Sequence, residues 1–224
     1  MRADPGPVLA QGRASIIYDL RDGTVLRRYA GSDRSAEPEA EVMRLAAAAG
    51  VRVPVVHSAS GPDIRMDLVP GPTMLSDLVD HPDRAGDYGR VLADLHASLD
   101  QVRPRDGSAL RLVHGDLHPG NVVLDERGPV LLDWTNHRFA YRALDLALSW
   151  LILACFEPDP GGKPAPTGNV RTALLDGFLG AVDRSAAAAA LDDAATIRHA
   201  DPATTAIEHA RIEHLRAAHR SRPG

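Results

Sequence analysis

The chain has 224 residues, with 25 lysines and arginines against 30 aspartates and glutamates, for a formal net charge of −5. Hydrophobic residues make up 44%, and 19 glycines with 17 prolines fall short of the ~25–30% that marks low-complexity chains, so disorder is excluded as the dominant state. Net acidity and an aromatic content of 4% lack the basic footprint and stacking side chains of a nucleic-acid binder. The longest apolar stretch, Leu144–Phe156, is interrupted by Asp145 and Ser149 and falls below the ~18 residues that span a bilayer. Met1–Gly6 has no apolar signal core, so a cytoplasmic protein with no membrane partner is expected. Cys155 is the single cysteine, which removes intrachain disulfides and cysteine-based zinc clusters and leaves a buried, inert thiol as its expected state. Lys163 is the single lysine.

Ser15–Leu20 and Thr24–Tyr29 are β-branched or aromatic runs flanking Asp22-Gly23, a hairpin signal. Glu37–Ala49 places Val42, Leu45, Ala46 and Ala49 on one helical stripe, and Gly50 follows as a stop. Val51–Val56 and Ile64–Val69 read as strands, and Pro70-Gly71-Pro72 breaks the chain. A β-rich first lobe over residues 1–70 and a helical second lobe over 71–224 are therefore expected, an α+β organisation. In the second lobe Ala85–Leu99 is amphipathic, with Tyr88, Val91, Leu92, Leu95 and Leu99 on one face. Leu110–His114 is a short strand, and Asn121–Leu124 with Pro129–Asp133 forms a second hairpin across Asp125–Gly128. Arg142–Phe156, Asn169–Arg184 and Thr204–Arg220 read as helices, with linkers at Glu157–Thr167 and Ala186–Ala190. His209, His214 and His219 recur every five residues, so no two share a helical face as a metal-binding pair would.

The chemistry is concentrated in His114-Gly-Asp-Leu-His-Pro-Gly-Asn121, with Asp133-Trp134 beyond it. This is the H-x-D-L-x-x-x-N spacing of kinase catalytic loops, followed by a second acidic residue after the next hairpin. With the turn centred on Arg127, Asn121 and Asp133 fall opposite each other, where cross-strand Cβ atoms lie roughly 4.5–5.5 Å apart. An amide oxygen and a carboxylate there are hard donors of the kind Mg²⁺ prefers. Asp116, in the preceding loop, is suited to accept a proton from an attacking hydroxyl. Trp134 is read as packing rather than substrate stacking.

Leu112–Leu124, with Leu131-Leu-Asp-Trp134 and Asp145-Leu-Ala147, resembles the aminoglycoside phosphotransferase and choline kinase family, which has a bilobal protein-kinase-like fold. The resemblance implies Asp116 as the catalytic aspartate, Asn121 and Asp133 as magnesium ligands, and His114 and Asp145 as braces of the loop. Gly12-Arg-Ala-Ser15 resembles the family's glycine loop over the phosphates. Val25-Leu-Arg27 resembles the strand that normally presents a phosphate-binding lysine; the first lobe has no lysine, so Arg27 takes that role and Arg28 points to the other face. Glu39 then corresponds to the helix glutamate that pairs with the basic residue. Asp67, Leu68 and Val69 resemble the hinge that binds adenine through its backbone. His118 is read either as a substrate contact or as a loop-shaping residue, and His96 as structural. The implied activity is transfer of the γ-phosphoryl group of Mg-ATP or Mg-GTP to a hydroxyl of a small metabolite or antibiotic.

Two other readings stand beside this one. The missing lysine is compatible with a kinase-like nucleotide-binding module that does not turn over. His114-x-Asp116-x-His118, with Asp133 and His137, is compatible with a metallohydrolase site, which needs several histidines converging on a metal.

Overall fold

The computed structural model describes residues 5–12, 15–31, 34–104, 106–155, 168–202 and 204–220. The linker expected at Glu157–Thr167, with Lys163, and the Arg13-Ala14 pair of the glycine loop lie outside the described residues. The chain divides into two compact units, Met1–Gly71 with Val123–Thr135, and Pro72–Val122 with Asn136–Gly224. The sequence reading puts the second hairpin with the helical lobe; the structure groups it with the sheet. The reason is local: the Arg52 guanidinium pairs with Asp125, and Leu131 N–H donates to Arg52 O at 2.9 Å.

The first unit is a five-stranded antiparallel sheet in the order β1-β2-β3-β5-β4. Its strands are β1 (Val8–Gln11), β2 (Ser15–Asp19), β3 (Thr24–Tyr29), β4 (Val56–Ser60) and β5 (Asp63–Asp67). Strand alternation sorts the side chains of β3: Val25, Arg27 and Tyr29 are each 4% exposed, whereas Leu26 and Arg28 on the opposite face are half-buried. Arg28 holds Asp63 with two bonds of 2.6 and 2.7 Å on that outer face. Helix α1 (Glu37–Ala48) buries Ala40, Val42, Met43 and Ala46 and ends before Gly50, whose φ of +88° suits a residue without Cβ. The strand expected at Val51–Val56 instead begins at Val56. Pro54 lacks the N–H that a ladder requires, and the β4–β5 turn sits at Gly61-Pro62. β7 (Val122–Asp125) and β8 (Gly128–Leu131) form the second hairpin. Its turn is Glu126-Arg127, so the hairpin centre falls between these residues rather than on Arg127, half a residue from the expected point.

The second unit packs α3 (Ala85–Leu99), α4 (Arg142–Cys155), α5 (Gly168–Ala181), α6 (Arg184–Ala189), α7 (Leu191–Ala200) and α8 (Ala206–Arg220). A short ladder pairs β6 (Arg111–Val113) with β9 (Arg138–Ala140). Helix α2 (Met74–Asp80) is absent from the sequence reading; seven residues are too few to show a helical period. Thr73 caps it, its Oγ1 accepting from Ser76 N–H at 3.1 Å. The expected Ala186–Ala190 linker is mostly helix α6, because alanine favours helix and Asp183 caps it, accepting from Ala186 N–H at 2.9 Å. Burial pushes the Cys155 thiol up to about 11, which leaves it inert at neutral pH. His219 packs edge-on against Trp150 and His209 against His199. Among the described residues no helix is long and apolar enough to cross a membrane.

Helices α3 and α5 meet where neither can carry a side chain. A Cβ on Gly89 would lie 2.2 Å from the Leu174 carbonyl oxygen and 2.5 Å from Phe178 N. Gly180, one turn further along α5, has nothing within 4 Å of such a Cβ. Gly89→Ala should therefore lower unfolding free energy by about 1–3 kcal/mol, because backbone must move to admit the methyl. Gly180→Ala should be neutral or raise stability by up to about 1 kcal/mol through helix propensity. Urea denaturation of both variants checks the pair.

Candidate active site

The first unit holds the basic residue and its counter-charges. Arg27, 4% exposed, donates through Nε to Ser15 Oγ at 3.0 Å, through Nη1 to Glu39 Oε1, and through Nη2 to both Asp133 Oδ1 (2.8 Å) and Thr135 Oγ1. Glu39, 3% exposed, also accepts from the Tyr29 hydroxyl and from Trp134 N–H at 3.2 Å. Burial works against the charge on Arg27, but Asp133 and Glu39 more than offset it and hold the guanidinium above its ordinary range. Burial, reinforced by Glu39, pushes the Tyr29 phenol up to about 12, so it remains a donor to the carboxylate. A lysine could not make this set of contacts: only a planar fork reaches two carboxylates and two hydroxyls at once. Trp134 is fully buried, with its indole N–H on Leu131 O at 3.3 Å, in keeping with a packing role.

Asp133 is 45% exposed, and its φ of +56° makes it, with Arg21, one of two non-glycine residues in the left-handed region among those described. Such conformations cost of order 1–3 kcal/mol and concentrate at functional positions. At the hinge-like segment, Leu68 N–H donates to Gly23 O at 2.9 Å, Asp67 N–H donates to Val55 O at 3.0 Å, and the Asp67 side chain meets His57 Nε2 at 2.6 Å. Those two amide hydrogens are thus engaged within the sheet. Val69 follows them in a segment without helix or strand. Gly12 N–H donates to Ser15 O at 2.9 Å, and the Ser15 side chain faces inward to Arg27 rather than outward to a ligand.

The second unit holds the loop His114–Asn121. Its anchor is Asp145 on α4, 2% exposed, whose carboxylate accepts from His114 N–H at 3.0 Å and Gly115 N–H at 2.8 Å and faces His96 Nδ1 at 3.2 Å. Burial alone would raise the Asp145 carboxyl, but His96 and the Gly115 amide outweigh it and hold it below the usual carboxylate range. His96 Nε2 lies 2.9 Å from Ser149 Oγ, and that hydroxyl donates to Leu117 O at 2.8 Å, so two α4 side chains, backed by His96 of α3, hold the loop backbone at residues 114, 115 and 117. Gly115 has φ +79°, and a Cβ there would lie 2.5 Å from Asn136 O. Asp116 N–H donates to His114 Nδ1 at 3.3 Å, and the Asp116 carboxylate is 26% exposed. Asn121 Nδ2 donates to Asp116 O at 2.9 Å and reaches Asp116 Oδ2 at 3.4 Å. His118 Nδ1 accepts from Gly120 N–H at 3.0 Å, and its Nε2 lies 3.9 Å from Asp116 Oδ2.

Asp116, Asn121, His114, His118 and Asp145 are thereby brought together in one unit, and Arg27, Glu39, Ser15 and Asp133 in the other. Reading the sequence missed Ser149, Thr135 and the Arg27–Asp133 pair, and saw His96 without its partner. Asp145 and Ser149 stand four apart on one helix, the spacing that could have revealed the second contact. A carboxylate and an amide oxygen are the donors a Mg²⁺ ion takes, and Asn121 spends its amide N–H on Asp116, which turns its carbonyl oxygen to other uses. Among the described residues no group of three or more His, Cys, Asp or Glu is placed to hold a metal.

Solved structures similar to this chain have a protein-kinase-like fold. A gentamicin complex of APH(2'')-IIa aligns with a TM-score of 0.62 at 12% identity, over 85% of this chain and 82% of the other. Amicoumacin kinase hAmiN, in complex with AMP-PNP, Ca²⁺ and Ami, aligns at 0.58 and 13% identity over 97% and 88%. A choline/ethanolamine kinase family protein from Mesorhizobium loti aligns at 0.53 and 16% identity over 98% and 88%. No curated protein sequence matches the chain. Residues 9–111 and 72–189 match the model of the phosphotransferase enzyme family, and the chain belongs to that family.

One consequence of the buried cluster is spectroscopic. With its pKa near 12, Tyr29 contributes stability that is fully present below the ordinary tyrosine value of about 10 and is lost as pH rises through 12. Burial and the bond to Asp77 also push the Tyr88 phenol up, so ultraviolet titration should show two of the four tyrosines ionising late, and Tyr29→Phe should halve that late amplitude. A late amplitude left undiminished by Tyr29→Phe would contradict the burial of this phenol.

Proposed function

We propose that the protein transfers the γ-phosphoryl group of ATP or GTP to a hydroxyl of a small molecule, with Asp116 as the catalytic residue. The observation that carries this reading is the loop around Asp116: its backbone is clamped by a buried carboxylate, while its own carboxylate stands partly open to solvent. Rigid support beneath an accessible base is what proton abstraction from a bound hydroxyl needs. The acceptor oxygen forms a bond to the γ-phosphorus as the bond to the bridging oxygen breaks. The hydroxyl proton passes to Asp116, and the nucleoside diphosphate leaves. Asn121 and Asp133 are assigned as the oxygen donors to Mg²⁺, which when bound neutralises phosphate charge. Arg27 takes the phosphate-binding role of the missing lysine, with Glu39 as its partner. Gly12 and Ser15 are assigned to the loop over the phosphates, and Asp67, Leu68 and Val69 to the purine, with the Val69 backbone as its main contact because the other two amides serve the sheet. His114 and Asp145 brace the loop.

A second reading, a nucleotide-binding module without turnover, is favoured by the bond from Arg27 to Asp133, which sets a cation against a proposed metal ligand. Two variants separate the readings. Folded Asp116→Asn should bind Mg-ATP with near-unchanged affinity while turnover falls by about 10²–10⁴. Asp133→Asn should lose magnesium-dependent nucleotide binding and turnover together. Calorimetric titration with and without Mg²⁺, beside a coupled nucleotide-consumption assay over a panel of amino alcohols, sugars and aminoglycosides, reads both quantities. Near-full phosphoryl transfer by Asp116→Asn would refute the assignment. Nucleotide binding by the wild-type chain that is indifferent to Mg²⁺, with no turnover on any acceptor, would establish the second reading.

A further inference from the structure

Within the first unit, the contacts of Arg27 divide by nitrogen. Nε is held by Ser15 Oγ at 3.0 Å and Nη1 by Glu39 Oε1, and both of those partners are buried. Nη2 alone reaches residues beyond the second hairpin, where Asp133 Oδ1 at 2.8 Å and Thr135 Oγ1 take its two hydrogens. Four of the five guanidinium N–H groups are thus engaged, the fifth is on Nη1, and the side chain is 4% exposed. A phosphate oxygen that is to share the Nη2 end of the fork has to replace Asp133 or Thr135.

The two are not equally replaceable. Thr135 is half-buried, and its hydroxyl also lies 3.5 Å from the Tyr29 hydroxyl. The Asp133 carboxylate is 45% exposed, so ligands in solvent reach it first. It is also the partner with a competing use, as an oxygen donor to Mg²⁺ under the proposed function. Asp133 given to a metal ion alone would strand the buried guanidinium, and a dication so close to Arg27 is repelled by it. ATP alone would bring its phosphates to a cation whose outer side is already covered by a carboxylate. When both ligands are present neither charge is stranded: Asp133 turns to the metal ion, and Nη2 gives the released hydrogen to a phosphate oxygen.

We infer that Asp133 is the exchangeable partner of Arg27 and covers Nη2 in the nucleotide-free protein, while Ser15 and Thr135 are positioning residues that keep the fork in place as Asp133 is exchanged for phosphate. One hydrogen bond replaces another, and Arg27 remains on Ser15, Glu39 and Thr135 throughout. The inference rests on the nucleotide-binding part of the proposed function. Under it, the bond that sets a cation against a metal ligand is the resting state of a working site.

Calorimetric titration of ATP in EDTA tests the exchange, with adenosine as the control that lacks phosphates. Asp133→Gly removes the carboxylate and suits the φ of +56° at this position. It should bind metal-free ATP about tenfold more tightly than wild type, the gain of one charge-assisted hydrogen bond, with adenosine unchanged. Added Mg²⁺ should tighten ATP binding by wild type and leave Asp133→Gly unmoved. Relief of repulsion between carboxylate and phosphates would give a gain of the same sign, so a double-mutant cycle with Arg27→Ala is needed. In that background most of the gain from Asp133→Gly should vanish. Arg27→Gln, whose amide can still donate to Glu39, serves if Arg27→Ala fails to fold. Thr135→Val should weaken Mg-ATP by about threefold or more, the worth of one hydrogen bond, with adenosine unchanged. Equal losses for both ligands would overturn its positioning role. Absence of a gain in Asp133→Gly, or a gain that persists in full without Arg27, would overturn the exchange. Wild-type protein that binds no ATP with or without Mg²⁺ refutes the phosphotransferase reading and the inference together. Wild-type protein that binds Mg-ATP while Asp133→Gly gains nothing refutes the inference alone.

Discussion

A buried guanidinium has to be paired, and the first unit is organised around meeting that requirement. Arg27 sits on the inner face of β3, where strand alternation leaves it between Val25 and Tyr29. Removing one partner of a buried ion pair typically costs about 3–5 kcal/mol, because the other charge is then stranded. Glu39 on α1, Ser15 on β2, and Asp133 with Thr135 beyond the hairpin each take one face of the fork. Elements far apart in sequence are thus fixed to one side chain. The bond from Trp134 N–H to Glu39 adds the backbone beyond the hairpin to the same network. This is why residues 123–135 group with the sheet rather than with the helices that flank them in sequence.

The second unit solves the corresponding problem with an acid. Asp145 is buried and accepts two backbone N–H bonds from the loop while facing His96. Ser149, one turn along α4, carries the same support to Leu117. The loop backbone at 114, 115 and 117 is satisfied from beneath, and the Asp116 carboxylate stays partly open to solvent. Accessibility of the Asp116 carboxylate and support of its loop follow from one arrangement.

Much of this was legible in the residues. The His114–Asn121 spacing and the distant Asp133 point to the loop because each residue type at its interval has a chemical reason to be there, and Asp145 enters through the family resemblance. The pairing of Arg27 with Glu39 is what the family resemblance implies once arginine is placed where the family has a lysine. The bond from Arg27 to Asp133 was not legible, because it spans 106 residues and depends on how the hairpin folds back. Helix α2 was hidden by its length, with a polar Thr73–Ser76 cap in place of a glutamate-bearing one. The linker expected at Ala186–Ala190 overlaps the helix at Arg184–Ala189, because an alanine run carries no amphipathic period, although its propensity is high. Ser15 illustrates a residue whose position was legible and whose direction was not: it lies beside the expected phosphate loop, yet its hydroxyl serves Arg27.

The central claim is that Arg27 does the work of the absent lysine, and a comparison of ATP with adenosine tests it most directly. The two ligands share the purine and ribose and differ in the phosphates that a guanidinium would hold. Calorimetric titration of the folded Arg27→Ala variant should show ATP affinity reduced by about 10–100-fold with adenosine little changed, the loss expected for a charge-assisted hydrogen bond. Arg27→Lys should recover most of the ATP affinity. Equal losses for ATP and adenosine in Arg27→Ala would contradict the account and leave Arg27 as a structural brace for Glu39 alone.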